Sequence, residues 1–243
     1  MSFGESAAVP LIEASGIHAH YGASHVLNGV DFVLRPGETL ALMGRNGMGK
    51  TTLLKTVLGL VPATQGRVRI KGEDCTGAPV HRIARQGIAY VPEGRGIFPG
   101  LSVREHLVMA ERPAQRGRAA WTLERVFATF PRLAERINHA GERLSGGEQQ
   151  MLSIARALVT NPDALILDEA TEGLAPLMAR EVWRVVKDIK ATGMATVIVD
   201  KNFAAVSANS DRAVILVKGS VVYEGSSAEL RASTELHLKH LGV

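Results

Sequence analysis

Gly44-Arg45-Asn46-Gly47-Met48-Gly49-Lys50-Thr51 fits the pattern G-x-x-x-x-G-K-[ST]. Before it, Glu38 to Met43 (ETLALM) is an apolar run suited to a buried strand. After it, Lys50 to Leu60 has helical character until Pro62 stops it. In this strand, glycine loop, helix order, successive backbone N–H groups and the positive end of the helix face a phosphate chain. Lys50 is then placed to reach the terminal phosphates, and the Thr51 hydroxyl to ligate Mg²⁺.

Such a loop needs a carboxylate for its metal. Asp168 stands at the end of the apolar run Ala164 to Leu167 (ALIL), where α/β sheets place ligand-contacting residues, and Glu169 follows at once. Two adjacent carboxylates on a strand tip can divide the work, Asp168 holding Mg²⁺ through water and Glu169 polarising the attacking water as general base. Ala195 to Val199 (ATVIV) is a second continuous apolar run, separated from the first by the amphipathic Met178 to Lys190. The chain therefore returns to a βαβ rhythm from Ala164 onward. Upstream of the loop, Leu11 to His18 and Val30 to Leu34 read as short strands. From about Glu93 to Ala157 the pattern is mostly helical, with Arg112 to Arg118 as a loop.

Leu144-Ser145-Gly146-Gly147-Glu148-Gln149 lies at the start of a helix. Ser145 is the N-cap candidate, and Met151, Leu152, Ala155 and Leu158 form the apolar face that follows. The two glycines leave backbone N–H groups open to an anion at the helix N-terminus.

In this order and over essentially the whole chain, these elements resemble the nucleotide-binding subunits of ABC transporters. The resemblance implies one α/β domain over residues 1–243, with a P-loop core of mainly parallel sheet. It also implies a helical subdomain inserted over roughly 94–157 and a small antiparallel β region near the nucleotide. It implies ATP and Mg²⁺ as ligands, with Gly44 to Thr52 (including Arg45, Asn46, Gly47, Met48 and Gly49) around the phosphates and Tyr21 stacked on adenine. Leu144 to Gln149 would close over ATP held by a second ATPase subunit, so that one chain cannot complete a site. Movement would pass to transmembrane permease subunits through the loop around Glu93, and a periplasmic solute-binding protein would act further out.

That loop, Val91-Pro92-Glu93-Gly94-Arg95-Gly96-Ile97-Phe98-Pro99, carries Glu93 where most relatives carry Gln, and Glu93 can still ligate Mg²⁺ through water. Together with Glu172-Gly173-Leu174-Ala175-Pro176, it resembles the subfamily that powers branched-chain amino acid uptake. Urea, amides and other hydrophobic or aromatic solutes are alternative cargoes, and a soluble non-transport ABC ATPase is an alternative role. Ala170, Ala175 and Lys201 depart from the wider family, which tends to have Pro, Asp and His there. Lys201 either contacts the γ-phosphate as a point charge or is a solvated lysine at a strand end. These departures favour a heterodimer of two similar ATPases for full turnover, with a homodimer as the alternative.

Composition sets the remaining bounds. With 46% hydrophobic and 21% charged residues, disordered and fibrous classes are excluded. A net charge of +4 with interspersed signs is too mild for nucleic acid. One cysteine, Cys75, excludes an internal disulfide and suits a reducing compartment. No run approaches the ~18 apolar residues of a membrane span, and Met1 to Val9 lacks a basic region followed by an apolar stretch. The expected place is the cytoplasmic face of the inner (plasma) membrane, peripherally bound. His18 and His20 share a strand face, and His237 and His240 lie three apart on an expected helix. With no third ligand expected nearby, they read as surface or packing residues.

Overall fold

The computed structural model describes residues 8–114 and 119–236. Its elements run β1 (Ile12–Tyr21), β2 (Ser24–Leu34), β3 (Thr39–Met43), α1 (Lys50–Val57), β4 (Gln65–Ile70), β5 (Glu73–Asp74), α2 (Val80–Arg85) and β6 (Ile88–Val91). Then come α3 (Val103–Ala110), α4 (Leu123–Thr129), α5 (Pro131–Glu135), a 3₁₀ turn (Gly141–Arg143) and α6 (Gly146–Leu158). The chain returns to β7 (Ala164–Asp168), α7 (Pro176–Ala191), β8 (Ala195–Val199), α8 (Phe203–Asn209), β9 (Arg212–Val217), β10 (Ser220–Ser226), α9 (Ser227–Ala232) and α10 (Thr234–Leu236).

The main sheet has the order β10-β9-β3-β8-β7-β6, parallel except for the β9–β10 hairpin. An antiparallel sheet, β2-β1-β4-β5, covers one side. Every residue of β3, β7 and β8 is buried. The reason is that their two faces feed two cores. Leu40, Leu42 and Ile166 point toward β1, β2 and α1, whereas Ala41, Met43, Leu165 and Leu167 pack with residues of α3 to α8. Strands covered on both faces have no polar alternation, which is why they read as unbroken apolar runs.

Two boundaries differ from the sequence expectation. β2 begins at Ser24, ahead of Val30, because its outer face is exposed and offers no apolar run to mark it. Helix α1 stops at Val57, short of Leu60. Its stop is Gly59, at φ 72°, where an added Cβ would lie 2.4 Å from the Ala78 carbonyl oxygen. A left-handed glycine after the C-cap, and not Pro62, ends the helix. Of the expected loop Arg112 to Arg118, residues 115–118 lie outside the described residues, as do His237 and His240.

Candidate functional site

A parallel sheet delivers all its carboxyl ends to one edge. At that edge β3 runs into Gly44, β7 ends on Asp168, β8 is followed by Asp200 and Lys201, and β6 leads to Glu93. The expected site residues from four neighbouring strands therefore meet there, as the switch geometry of open α/β sheets requires.

The glycine loop is held tightly. Gly44 has φ 139°, and an added Cβ would lie 2.3 Å from the Leu216 carbonyl oxygen, so no other residue fits. The β9–β10 turn braces the far side: Gly219 N–H donates to the Met48 carbonyl at 3.1 Å. Lys50, the first residue of α1, is buried and donates to the carbonyls of Gly44 (2.8 Å) and Arg45 (3.1 Å). Burial lowers its pKa below the usual lysine value, with Glu169 and Asp168 opposing and Lys201 adding to the shift. The ammonium thus lies across the mouth of the loop, on backbone acceptors that a phosphate chain can replace.

Asp168 is buried and anchored at both oxygens. Thr51 Oγ1 donates to Oδ1 at 3.2 Å and the Tyr90 hydroxyl donates to Oδ2 at 2.9 Å. Burial, and then the charge of Asp168, push the Tyr90 pKa well above the ordinary phenol value, so it stays a donor. Thr51 and Asp168 bring a hydroxyl and a carboxylate together, a hard-oxygen pair that fits Mg²⁺. Tyr90 was not foreseen. Only the register of β6 on β7, Tyr90 opposite Ile166, brings it beside Asp168, and nothing local in the sequence marks which strand is β7's neighbour.

Glu169 sits in the left-handed region at φ 53°, with its N–H donating to the Val199 carbonyl at 2.7 Å. Burial, then a hydrogen bond with Glu172 and that residue's charge, raise its pKa to about 7 against the pull of Lys201 and Lys50. Glu172 shifts the other way, held low by the hydrogen bond from Glu169 and by Lys201. Of the two carboxyls, Glu169 is therefore the one that takes up a proton first as the pH falls. Lys201 is exposed at the strand end, where it ion-pairs with Glu172, and its Nζ lies 3.6 Å from Glu169 Oε2.

Glu93 joins this group, with one carboxylate oxygen each from Glu93, Glu169 and Glu172 all within 4.8 Å of one another. Among the described residues, no hydrogen bond links Glu93 to Thr51 or Asp168. Asp200 Oδ2 accepts from the Thr171 N–H (3.0 Å) and hydroxyl (2.6 Å), which ties down the segment after Glu169 where the buried Ala170 offers no ring.

Leu144 to Gln149 forms the capped helix start that was expected. Ser145 and Glu148 make a reciprocal capping box, the Ser145 N–H donating to Glu148 at 2.8 Å, and Arg136 pairs with Glu148 at 2.8 Å. Gly147 is needed because Met178 at the start of α7 packs against it: an added Cβ would lie 2.6 Å from the Met178 methyl. Arg95 donates to Gln149 at 3.4 Å, joining this helix to the Glu93 loop. Among the described residues, no hydrogen bond or ion pair connects 144–149 with 44–52. Tyr21 ends β1 and is 49% exposed.

No third ligand was expected beside His18 and His20, and a third histidine does lie there. His25 on β2 packs against both, its ring stacked on His20 with centroids 4.1 Å apart and hydrogen-bonded to His18 at 3.0 Å. The pairing of His20 with His25 across β1 and β2 produces the contact.

The family model described as "ABC transporter" matches residues 27–172. The chain is 35% identical over 226 residues to the high-affinity branched-chain amino acid transport ATP-binding protein BraG of Pseudomonas aeruginosa, covering 93% of this chain and 97% of that one. It is 30% identical over 238 residues to the lipopolysaccharide export system ATP-binding protein LptB of Haemophilus influenzae, covering 96% and 97%. A solved structure of an ATP-binding subunit of an ABC transporter superposes with a TM-score of 0.80 at 29% identity, covering 96% of each chain.

Proposed function

The chain belongs to the ABC transporter family, and from that premise we propose that its ATP hydrolysis powers uptake of branched-chain amino acids. It is an ATPase subunit that works with permease subunits. The observation that carries the catalytic part of the proposal is the meeting of Lys50, Thr51, Asp168 and Glu169 at one sheet edge. The amino acid cargo is supported by similarity to BraG along almost the whole length, and by the wording of Glu172 to Pro176.

In this reading Gly44 to Thr52 cradle the triphosphate, Lys50 exchanges its carbonyl partners for phosphate oxygens, and Tyr21 lies against adenine. Thr51 and Asp168 hold Mg²⁺, with Glu93 reaching it through water; the ion supplies neutralisation of charge on the phosphate oxygens. Glu169 accepts a proton from a water whose oxygen forms the new bond to the γ-phosphorus as the bond to the bridging oxygen breaks. Lys201, already beside Glu169, acts on the γ-phosphate as a point charge.

Leu144, Ser145, Gly146, Gly147, Glu148 and Gln149 serve the nucleotide of a second ATPase in this reading, a role supported by the family resemblance. That second subunit is a similar chain in a heterodimer, or another copy in a homodimer. The permease contacts the groove of about 850 Å³ between α2, β6, α3 and α6. His81, Arg85, Arg112 and Arg156 line this groove, and its described lining holds no carboxylate, so it suits an acidic cytoplasmic loop. Among the described residues no helix is long and apolar enough to cross a membrane; in this reading the chain is held at the cytoplasmic face by the permease.

Similarity to LptB favours a second reading, export of lipopolysaccharide. ATP turnover of the reconstituted assembly separates the two. Stimulation by a solute-binding protein loaded with leucine, isoleucine or valine is the expected result; stimulation by lipopolysaccharide alone would overturn it.

A further inference from the structure

Asp168 is buried, and a buried carboxylate keeps one orientation only while donors hold it. Its two described donors have different obligations. Thr51, hydrogen-bonded to Oδ1, is also the hydroxyl assigned to the metal, so its lone pairs and its proton must be redistributed when the ion arrives. The Tyr90 hydroxyl, on Oδ2, has no other hydrogen bond among the described residues and is free to keep its grip throughout.

Strand geometry makes this contact specific. Tyr90 stands opposite Ile166 in the parallel β6–β7 pair, so it has the same parity as Ile166 and Asp168 and faces the same side of the sheet. Its neighbours Ala89 and Val91 face the other side. The long side chain reaches along β7 from the Ile166 level to the strand tip. A phenylalanine would fill the same space without the donor.

We propose that Tyr90 is a positioning residue of the metal site, orienting the Asp168 carboxylate so that its Oδ1 side faces the ion held with Thr51. The proposal rests on the reading of Asp168 as the Mg²⁺ residue. Partners that fix metal-binding groups in this way are typically worth about 10–100-fold in metal affinity.

The test uses the full chain carrying Glu169→Gln, so that nucleotide is bound but not consumed. Binding of a fluorescent ATP analogue is followed while Mg²⁺ is titrated, and separately in chelator without metal, for the parent, Tyr90→Phe and Asp168→Asn. Tyr90→Phe is expected to need about tenfold more Mg²⁺ for half-effect, with metal-free affinity within about twofold of the parent, which also reports an intact fold. An unchanged Mg²⁺ midpoint in Tyr90→Phe, with the midpoint shifted in Asp168→Asn, overturns the role of Tyr90 alone. If Asp168→Asn leaves the midpoint in place as well, both the metal assignment and the Tyr90 role fall.

Discussion

Glu169 is asked to take a proton, and its surroundings set when it can. Burial and Glu172 raise its pKa to about 7, so below that pH the carboxyl is protonated and cannot act as base. Because kcat/KM reports the free enzyme, it should rise with pH through a midpoint near 7 and level off above it. In Glu172→Gln the neighbouring charge that raises Glu169 is gone, so the same limb should move to lower pH. A pH profile of ATP turnover for the two proteins checks both statements. At this scale the sequence was most legible where chemistry follows from spacing: Lys50, Thr51, Asp168 and Glu169 all reach one sheet edge. It was least legible where two residues meet only through folding. Tyr90 reaches Asp168 by strand register, Glu172 and Lys201 share an ion pair across 29 positions, and His25 stacks on His20 by cross-strand pairing.

Helix α6 owes its start to a local contract between Ser145 and Glu148, written in the sequence three residues apart. An N-cap serine replaced by alanine costs about 1 kcal/mol. Ser145→Ala should therefore lower the thermal midpoint by about 2–4 °C for a chain of this size, read by calorimetry in the absence of nucleotide. An unchanged midpoint would mean that Arg136 and Glu148 hold the helix start without the cap. Elements with such local signals were readable: the strand, loop and helix of residues 39–57, and the fully buried β7 and β8. Those set by distant neighbours were not. The end of α1 depends on Gly59 fitting beneath Ala78, and the outer half of β2 depends on pairing with β1, with no apolar face of its own to announce it.

For the molecule as a whole, the proposal requires two features to act together: an ATP site at the carboxyl edge of the sheet, and a basic groove beside β6. Arg156 bridges them, lining the groove while donating to the Arg95 carbonyl at 3.2 Å, and Arg95 in turn touches Gln149. Arg85 is exposed in the groove on α2. Arg85→Glu should leave nucleotide binding by the isolated chain intact but weaken its recovery with the permease from membranes, a loss that a compensating basic change on the permease loop would restore. The mainly parallel character of the core sheet was legible from the alternation of apolar runs, whereas its strand order, which brings four strand ends together, was not. The groove was not, because α2 and α6 are separated by about sixty residues that only the fold brings back together.

The central claim is that Glu169 performs hydrolysis within a membrane transport assembly. Its most direct test is ATP turnover by the assembly purified from native membranes in mild detergent, wild type against Glu169→Gln. The account predicts co-purifying permease subunits in both, ATP binding retained, and turnover in the variant at half the wild-type rate or less, half being the limit if a partner ATPase keeps its own site. Undiminished turnover in Glu169→Gln would contradict it.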